Sequence, residues 1–318
     1  MNRPRLNFKM AIDAANSAIK VVSEGYDDKI ASYIDYRCNP SDTLGNVVIK
    51  GEKDDVFCVG YGASKSPTGK ATVSDKSTKI NEIEKLYLGA LSYCHSKLAP
   101  QSTTIKNHIV ISSHAWQSHK EVIKSKLERS IDVVLAGKAI ALTTEVLALV
   151  PEGFGVVVTH GTEKFVTLDF GSGTTILTPY INKKPQESQV TDLGVNQLYV
   201  MIQSAMKSQN YGYTGDLRKI REQIENGKFI IDGCNIKDVY NQCLKQWWND
   251  GLKEYAYEAQ RLASTGYTVL CIGGGVALPG FSKVLESKKL ASYQGSPEMA
   301  SVKGMYQLCE TLATKKGV

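Results

Sequence analysis

Asp169-Phe170-Gly171-Ser172-Gly173-Thr174-Thr175 ends an apolar run in an acid and then in small, hydroxylated residues. A tight turn of that kind lets backbone N–H groups approach a phosphate without side-chain interference. An aspartate at a strand end can hold hydrated Mg²⁺, which keeps several of its waters and needs few carboxylates. Asp13, 156 residues earlier, stands in the same relation to the small residues Ala14-Ala15-Asn16-Ser17. That long-period similarity predicts two halves of related design, each donating one turn to a shared cleft, with the two acids sharing the cation. Lys20 would come back along the first hairpin to the β- and γ-phosphates. Taken alone, an Asp-x-Gly turn also serves simply to connect two strands.

A third element joins them. Val269-Leu270-Cys271-Ile272 is an apolar strand entering Gly273-Gly274-Gly275, with Pro279-Gly280 and a helix behind it. Consecutive glycines let the backbone lie flat against a base or ribose. The run is no dinucleotide fingerprint, because Gly273-x-Gly275-x-x-Leu278 lacks the last small residue. Gly62 to Ala71 has the wrong glycine spacing for a P-loop and reads as a solvated loop. His114 and His119, with no carboxylate between them, read as ordinary histidines rather than ligands. Trp247-Trp248 reads as packing, with a protein interface as the alternative.

These residues need elements to hold them. Phe8 to Asp13 and Ala14 to Val22 read as a strand, a turn and a second strand, followed by strand-and-turn sequence to about Ser77. Apolar residues at Ile80, Ile83, Leu86, Ala90, Leu91, Cys94 and Leu98 predict a helix closed by Pro100. Ile105 to Ser112 reads as a buried strand. Leu135 to Val150 reads as a largely buried helix stopping at Pro151. Val156-Val157-Val158 and Phe165 to Leu168 read as a hairpin about His160-Gly161-Thr162. Helices are expected over Asp192 to Met206, Asp216 to Asn226, and Ile236 to Ser264 with a break at Asn249-Asp250-Gly251. Strands alternating with long helices predict an α/β chain.

Composition narrows the function. The 318 residues are 42% hydrophobic and 22% charged, ordinary for a globular chain of two domains. A net charge of +6 with scattered lysine pairs lacks the basic stripe of a nucleic-acid surface, so no direct nucleic-acid contact is expected. Seven cysteines without a C-x-x-C pair favour reduced thiols and a cytoplasmic location. Lys9, Asp13 and Lys20 break any signal-peptide core. No apolar run is long enough to span a bilayer, and no membrane partner is expected.

Asp13-x-x-Asn16-x-x-x-Lys20, Asp169-x-Gly171-x-Gly173-Thr174-Thr175 and Gly273-Gly274-Gly275 resemble, in order, the phosphate-1, phosphate-2 and adenosine motifs of the actin, sugar kinase and heat-shock ATPase superfamily. Val150-Pro151-Glu152 lies where that family has its first connecting segment. Asp192-Leu193-Gly194 resembles a helix start that faces the nucleotide. Phe57-x-Val59-Gly60-x-x-Ala63 and Met299-Ala300-Ser301-Val302-x-Gly304 are similar to elements of the plasmid-segregation actins, the ParM/StbA group. The match covers nearly the whole chain. One departure is Ala15, where the family usually has glycine.

The resemblance implies an α/β, two-domain actin-like ATPase fold, each domain a mixed sheet flanked by helices, with a nucleotide cleft between them. Domain I would cover 1–158, with 299–318 packing back onto it, and domain II 159–298. ATP or ADP with Mg²⁺ would be the cofactor. Asp13 and Asp169 would hold the hydrated metal, and Lys20 the phosphates. Glu152 would orient the attacking water. Asn16, Ser17, Gly171, Ser172, Gly173, Thr174 and Thr175 would contact phosphates. Asp192, Gly194, Gly273, Gly274 and Gly275 would contact the nucleotide, with Lys219 and Glu222 flanking the base. The implied function is an ATP-hydrolysing filament protein that moves plasmid DNA through an adaptor bound to a centromere-like site. A sugar-type kinase and a non-polymerising nucleotide-binding module are the alternatives. A kinase would need inserted substrate subdomains, which are not evident, and a chaperone would need a peptide-binding domain beyond Val318.

Overall fold

The computed structural model describes residues 6–14, 18–71, 80–98, 103–113, 116–208 and 216–318. Ala15, Asn16, Ser17 and His114 therefore lie outside the described residues. The chain divides into two compact units, one of Met1–Val158 with Ser301–Val318, the other of Thr159–Ala300.

In the first unit, the strands are β1 (Leu6–Ala14), β2 (Ala18–Ser23), β3 (Tyr26–Ala31), β4 (Tyr33–Asp35), β5 (Asn46–Ile49), β6 (Asp55–Val59), β7 (Lys70–Ala71), β8 (Thr104–Ser112), β9 (Ser130–Leu135) and β10 (Lys138–Val150). They form one sheet in the order β3-β2-β1-β8-β10-β9-β5-β6-β4-β7. Its centre is parallel, with β8 between β1 and β10. The helices are α1 (Tyr61–Lys65), α2 (Ile83–Leu98), α3 (Lys120–Leu127) and α4 (Phe154–His160). The apolar positions that predict α2 include Leu86, Ala90, Leu91 and Cys94, each fully buried in the core. Tyr87 on α2 adds a buried polar pin. Its hydroxyl lies 2.8 Å from Thr144 Oγ1 on β10 and accepts from Asn107 Nδ2 on β8 at 2.8 Å.

Two expectations fail here. Residues 138–150 are strand β10, not helix. Ile140, Leu142, Thr144 and Val146 are buried in alternation, while Ala139 and Ala141 face outward. Those small apolar residues on the open face hide the period of two, and a bulge between Val146 and Ala148 shifts it. Ala136-Gly137 is the two-residue turn of the β9–β10 hairpin, both at positive φ. Val156-Val157-Val158 is no strand either, since it lies in α4. The helix sits backbone to backbone on the C-terminal helix α10 (Ala300–Lys315), where a Cβ at Gly304 would lie 1.9 Å from the Gly155 carbonyl oxygen. Tertiary contact of that closeness overrides β-branched propensity.

The solvated loop over Gly62 to Ala71 is also corrected. It holds part of α1 and strand β7, and Thr68 Oγ1 donates to Asp35 Oδ1 at 2.8 Å.

The second unit has β11 (Lys164–Phe170), β12 (Thr175–Ile181), β13 (Lys184–Pro185), β14 (Gln189–Thr191), and β17 (Thr268–Ile272) in one sheet. A separate hairpin pairs β15 (Ile230–Ile231) with β16 (Cys234–Asn235). The helices are α5 (Val195–Ser208), α6 (Leu217–Glu225), α7 (Lys237–Trp247), α8 (Lys253–Ser264) and α9 (Phe281–Ser287). Between α7 and α8 the chain makes a π-turn over Trp248–Leu252, at the break expected from Asn249-Asp250-Gly251. Trp247 and Trp248 pack on Phe281 in the core, with ring centroids at 5.3 and 6.0 Å.

Charge ties α10 to the first sheet. Glu145 on β10 meets Lys106 at 2.9 Å and also bonds Lys316, near the chain end, while buried His108 Nδ1 lies 3.2 Å away. Lys316 and Lys106 hold the Glu145 carboxyl down at about 2, and burial lowers the proton affinity of His108. A carboxyl that titrates lower in the folded chain adds stability above its ordinary value of 4.5, and loses it as pH falls toward 2. Glu145→Gln is expected to cost about 1–2 kcal/mol at pH 7, at the lower end because Lys316 is half exposed. Urea unfolding at several pH values checks this: the gap to the unsubstituted protein should close between pH 4.5 and 2.

Candidate functional site

In the first unit the site grows from three neighbouring strand ends. β1 and β2 pair antiparallel with Asp13 opposite Lys20. Lys20 Nζ lies 3.0 Å from Asp13 Oδ2, and Ser112 Oγ donates to Asp13 Oδ1 at 2.8 Å. Asp13 is 6% exposed and Ser112 1%, so this charge is held by protein partners more than by water. The register explains the meeting. Ile111 sits beside Ile12, Ser112 beside Val150, and the Ser113 N–H donates to the Val150 carbonyl at 3.0 Å. Asp13, Ser112 and the Pro151-Glu152 turn therefore follow one another at the carboxyl ends of β1, β8 and β10, the end of a parallel sheet where ligands gather. Gly153 at φ 80 turns the chain after Glu152 into α4.

Ser112 is a residue that the motif reading passed over. Its signal was present: an apolar strand, Ile109-Val110-Ile111, running into a hydroxyl pair, as β1 runs into Asp13.

In the second unit, β11 and β12 pair with Phe170 opposite Thr175, leaving residues 171–174 as the turn. The Gly171 N–H donates to the Thr174 carbonyl at 2.9 Å. Two of the turn's carbonyls, those of Gly171 and Ser172, face the start of helix α5. Val195 N–H donates to Gly171 at 3.0 Å and Asn196 N–H to Ser172 at 2.8 Å, which satisfies donors of the helix's first turn. Thr175 Oγ1 donates to the Leu193 carbonyl at 3.0 Å, and Ser172 Oγ to Asn196 Oδ1 at 3.1 Å. Gly194 makes this possible: a Cβ there would lie 2.4 Å from Gly173 C and 2.5 Å from Thr174 N. Among the described residues, the N–H groups of Ser172, Gly173 and Thr174 have no acceptor. Three successive donors on a half-buried turn are groups of the kind that can receive an anion.

β17 lies parallel to β11 with Ile272 beside Asp169. The next residue, Gly273, has φ 91, and a Cβ there would stand 2.2 Å from Asp169 Oδ1. No described atom lies within 4 Å of where a Cβ on Gly274 would be, so that stretch of backbone is open. Asp169, the turn, the Asp192-Leu193-Gly194 segment and the glycine run thus come together in this unit. Lys219 and Glu222 lie on the exposed face of α6, and Lys219 pairs with Asp232 of the β15–β16 turn at 3.2 Å.

No protein-family model matches the chain, and no curated protein matches it either. Solved structures do. The apo psk41 ParM protein is similar over 98% of this chain and 99% of its own, at 21% identity and a TM-score of 0.70. A 15-stranded ParM filament from Clostridium botulinum matches at 18% identity and TM-score 0.69, covering 96% of this chain and 99% of its own. Bacillus thuringiensis ParM with ATP matches at 13% identity and TM-score 0.72, covering 96% and 99%. With its mixed sheets and flanking helices, the chain has the actin-like fold of these ParM structures.

Proposed function

We propose that this chain binds ATP with Mg²⁺, hydrolyses it, and assembles head to tail into nucleotide-dependent filaments. The observation that carries the reading is the β11–β12 turn, three half-buried N–H donors that follow Asp169 and have no acceptor among the described residues. That chemistry suits a phosphate chain and its metal. Two fold relatives support the rest, one solved with ATP and one as a filament.

In this reading Ser172, Gly173 and Thr174 bind phosphate oxygens through their backbone, and Lys20 adds a cationic contact. Gly171 and Thr175 frame the turn. The Asp192-Gly194 segment supports it from behind, and Gly273, Gly274 and Gly275 lie along the adenosine. The oxygens of Asp13 and Asp169 are hard donors that fit Mg²⁺ through its waters, and the bound ion would neutralise phosphate charge. Glu152 orients the attacking water. Asn16 and Ser17 remain proposed phosphate contacts, and Lys219 with Glu222 proposed neighbours of the base. The cellular role proposed is plasmid segregation in the cytoplasm, through an adaptor that carries the DNA contact.

The test is light scattering and pelleting with ATP, with ADP and without nucleotide. Polymer that forms with ATP and disappears as phosphate is released is expected. Phosphate release stimulated by a sugar, with no polymer under any condition, would sink the filament reading in favour of a kinase. Glu152→Ala should slow hydrolysis by roughly 100-fold or more while ATP still binds, leaving long-lived filaments. Gly194→Ala should push the turn out of place and weaken ATP binding by about tenfold or more, measured by titration of a fluorescent ATP analogue.

A further inference from the structure

Resting on the nucleotide reading above, we propose that Ser112 is a positioning residue for the Asp13 carboxylate and, through it, for the hydrated Mg²⁺. Three observations converge on it. Ser112 is the last residue of β8, 1% exposed, and its hydroxyl proton goes to Asp13 Oδ1 at 2.8 Å. Its backbone is fixed on both sides, beside Val150 of β10 in register and one residue beyond the Ile111–Ile12 pair with β1. Lys20 holds the other oxygen, Oδ2, at 3.0 Å.

With Ser112 on Oδ1 and Lys20 on Oδ2, the plane of the carboxylate has little freedom left. Lys20 is a long side chain, and in the nucleotide reading it also serves phosphate. The serine has a short side chain on a strand interior to the sheet, so it is the fixed partner of the two. Groups that orient a metal-binding carboxylate from behind govern metal affinity more than they govern binding of the rest of the ligand. The role belongs to the hydroxyl, and threonine retains it.

The full-length chain and three variants, Ser112→Ala, Ser112→Thr and Ser113→Ala, decide the point. Ser113, 4% exposed, removes a neighbouring buried hydroxyl as a control. The readout is the dissociation rate of a fluorescent ADP across a Mg²⁺ titration, alongside its affinity in EDTA and the unfolding temperature. Ser112→Ala should raise the half-saturating Mg²⁺ by about 10–100-fold and leave the metal-free affinity and unfolding temperature near their original values. Ser112→Thr and Ser113→Ala should stay within about threefold of the unsubstituted chain, well inside that range.

A Ser112→Ala titration that overlays the original overturns the role. So does a general loss in which metal-free affinity and unfolding temperature fall together and threonine rescues nothing. Failure of the unsubstituted chain to bind the ADP probe in Mg²⁺ would instead remove the nucleotide reading, and this role with it.

Discussion

A carboxylate withdrawn from water has to find partners for its oxygens inside the protein, and Asp13 is 6% exposed. The arrangement of the first unit's central strands follows from that constraint. Lys20 reaches Asp13 because the β1–β2 hairpin sets the two opposite each other. Ser112 reaches it because β8 runs parallel to β1 and ends one residue past the Ile111–Ile12 pair. A slip of one residue in either pairing would turn the partner side chain to the other face of the sheet. β8 is buried on both faces, Ile105, Ile109 and Ile111 on one and His108 and Val110 on the other, so such a slip would have to exchange two differently packed sets of side chains. The polar site thus borrows its precision from packing on both faces of the strand.

The second unit solves a different problem with backbone alone. The turn after Asp169 commits its Gly171 and Ser172 carbonyls to helix α5 and leaves the N–H groups of Ser172, Gly173 and Thr174 without an acceptor among the described residues. A helix start can bind an anion with its own first-turn donors. Here two donors of that first turn, Val195 and Asn196, are used on the protein, and the donors left without a described acceptor are those of the turn. Gly194 is the condition for this arrangement, because any side chain at that point would occupy the turn's own backbone. Glycine in that position is an answer to packing: it lets the helix start and the turn share one space.

Much of this is legible in the sequence, for physical reasons. Hairpins, turns and breaks marked by Asp, Lys and glycine came through: the Asp13–Lys20 hairpin, the Asp169 turn, the run into Gly273, and the break before Gly251. Helix α6 was also bounded correctly by Asp216, whose side chain caps it by accepting from Arg218 N–H. What failed had local signals that tertiary contacts overrule. Strand β10 hides its alternation behind Ala139 and Ala141, and its hairpin turn uses Ala136 at φ 46 where asparagine would have announced it. Helix α4 is built from valines that would suit a strand. What they need instead is a short segment that can lie flat on α10 at Gly155, a requirement set about 150 residues away in the sequence.

That last contact bears on the site as a whole. Glu152 sits on a three-residue step, Pro151-Glu152-Gly153, between the end of β10 and the start of α4, so its placement depends on both. β10 is held by β8 in register, and α4 is held by α10 through bare backbone. α10 is in turn held at its far end by Lys316 on Glu145, which lies on β10 itself. Strand, turn, short helix, long helix and ion pair therefore close a loop that begins and ends on the same strand. A turn enclosed by such a loop cannot drift independently of the sheet that positions Asp13. The order of elements in the chain, with helix α10 returning to the first unit, has a mechanical sense: it fixes the Glu152 turn to the strand ends that carry Asp13.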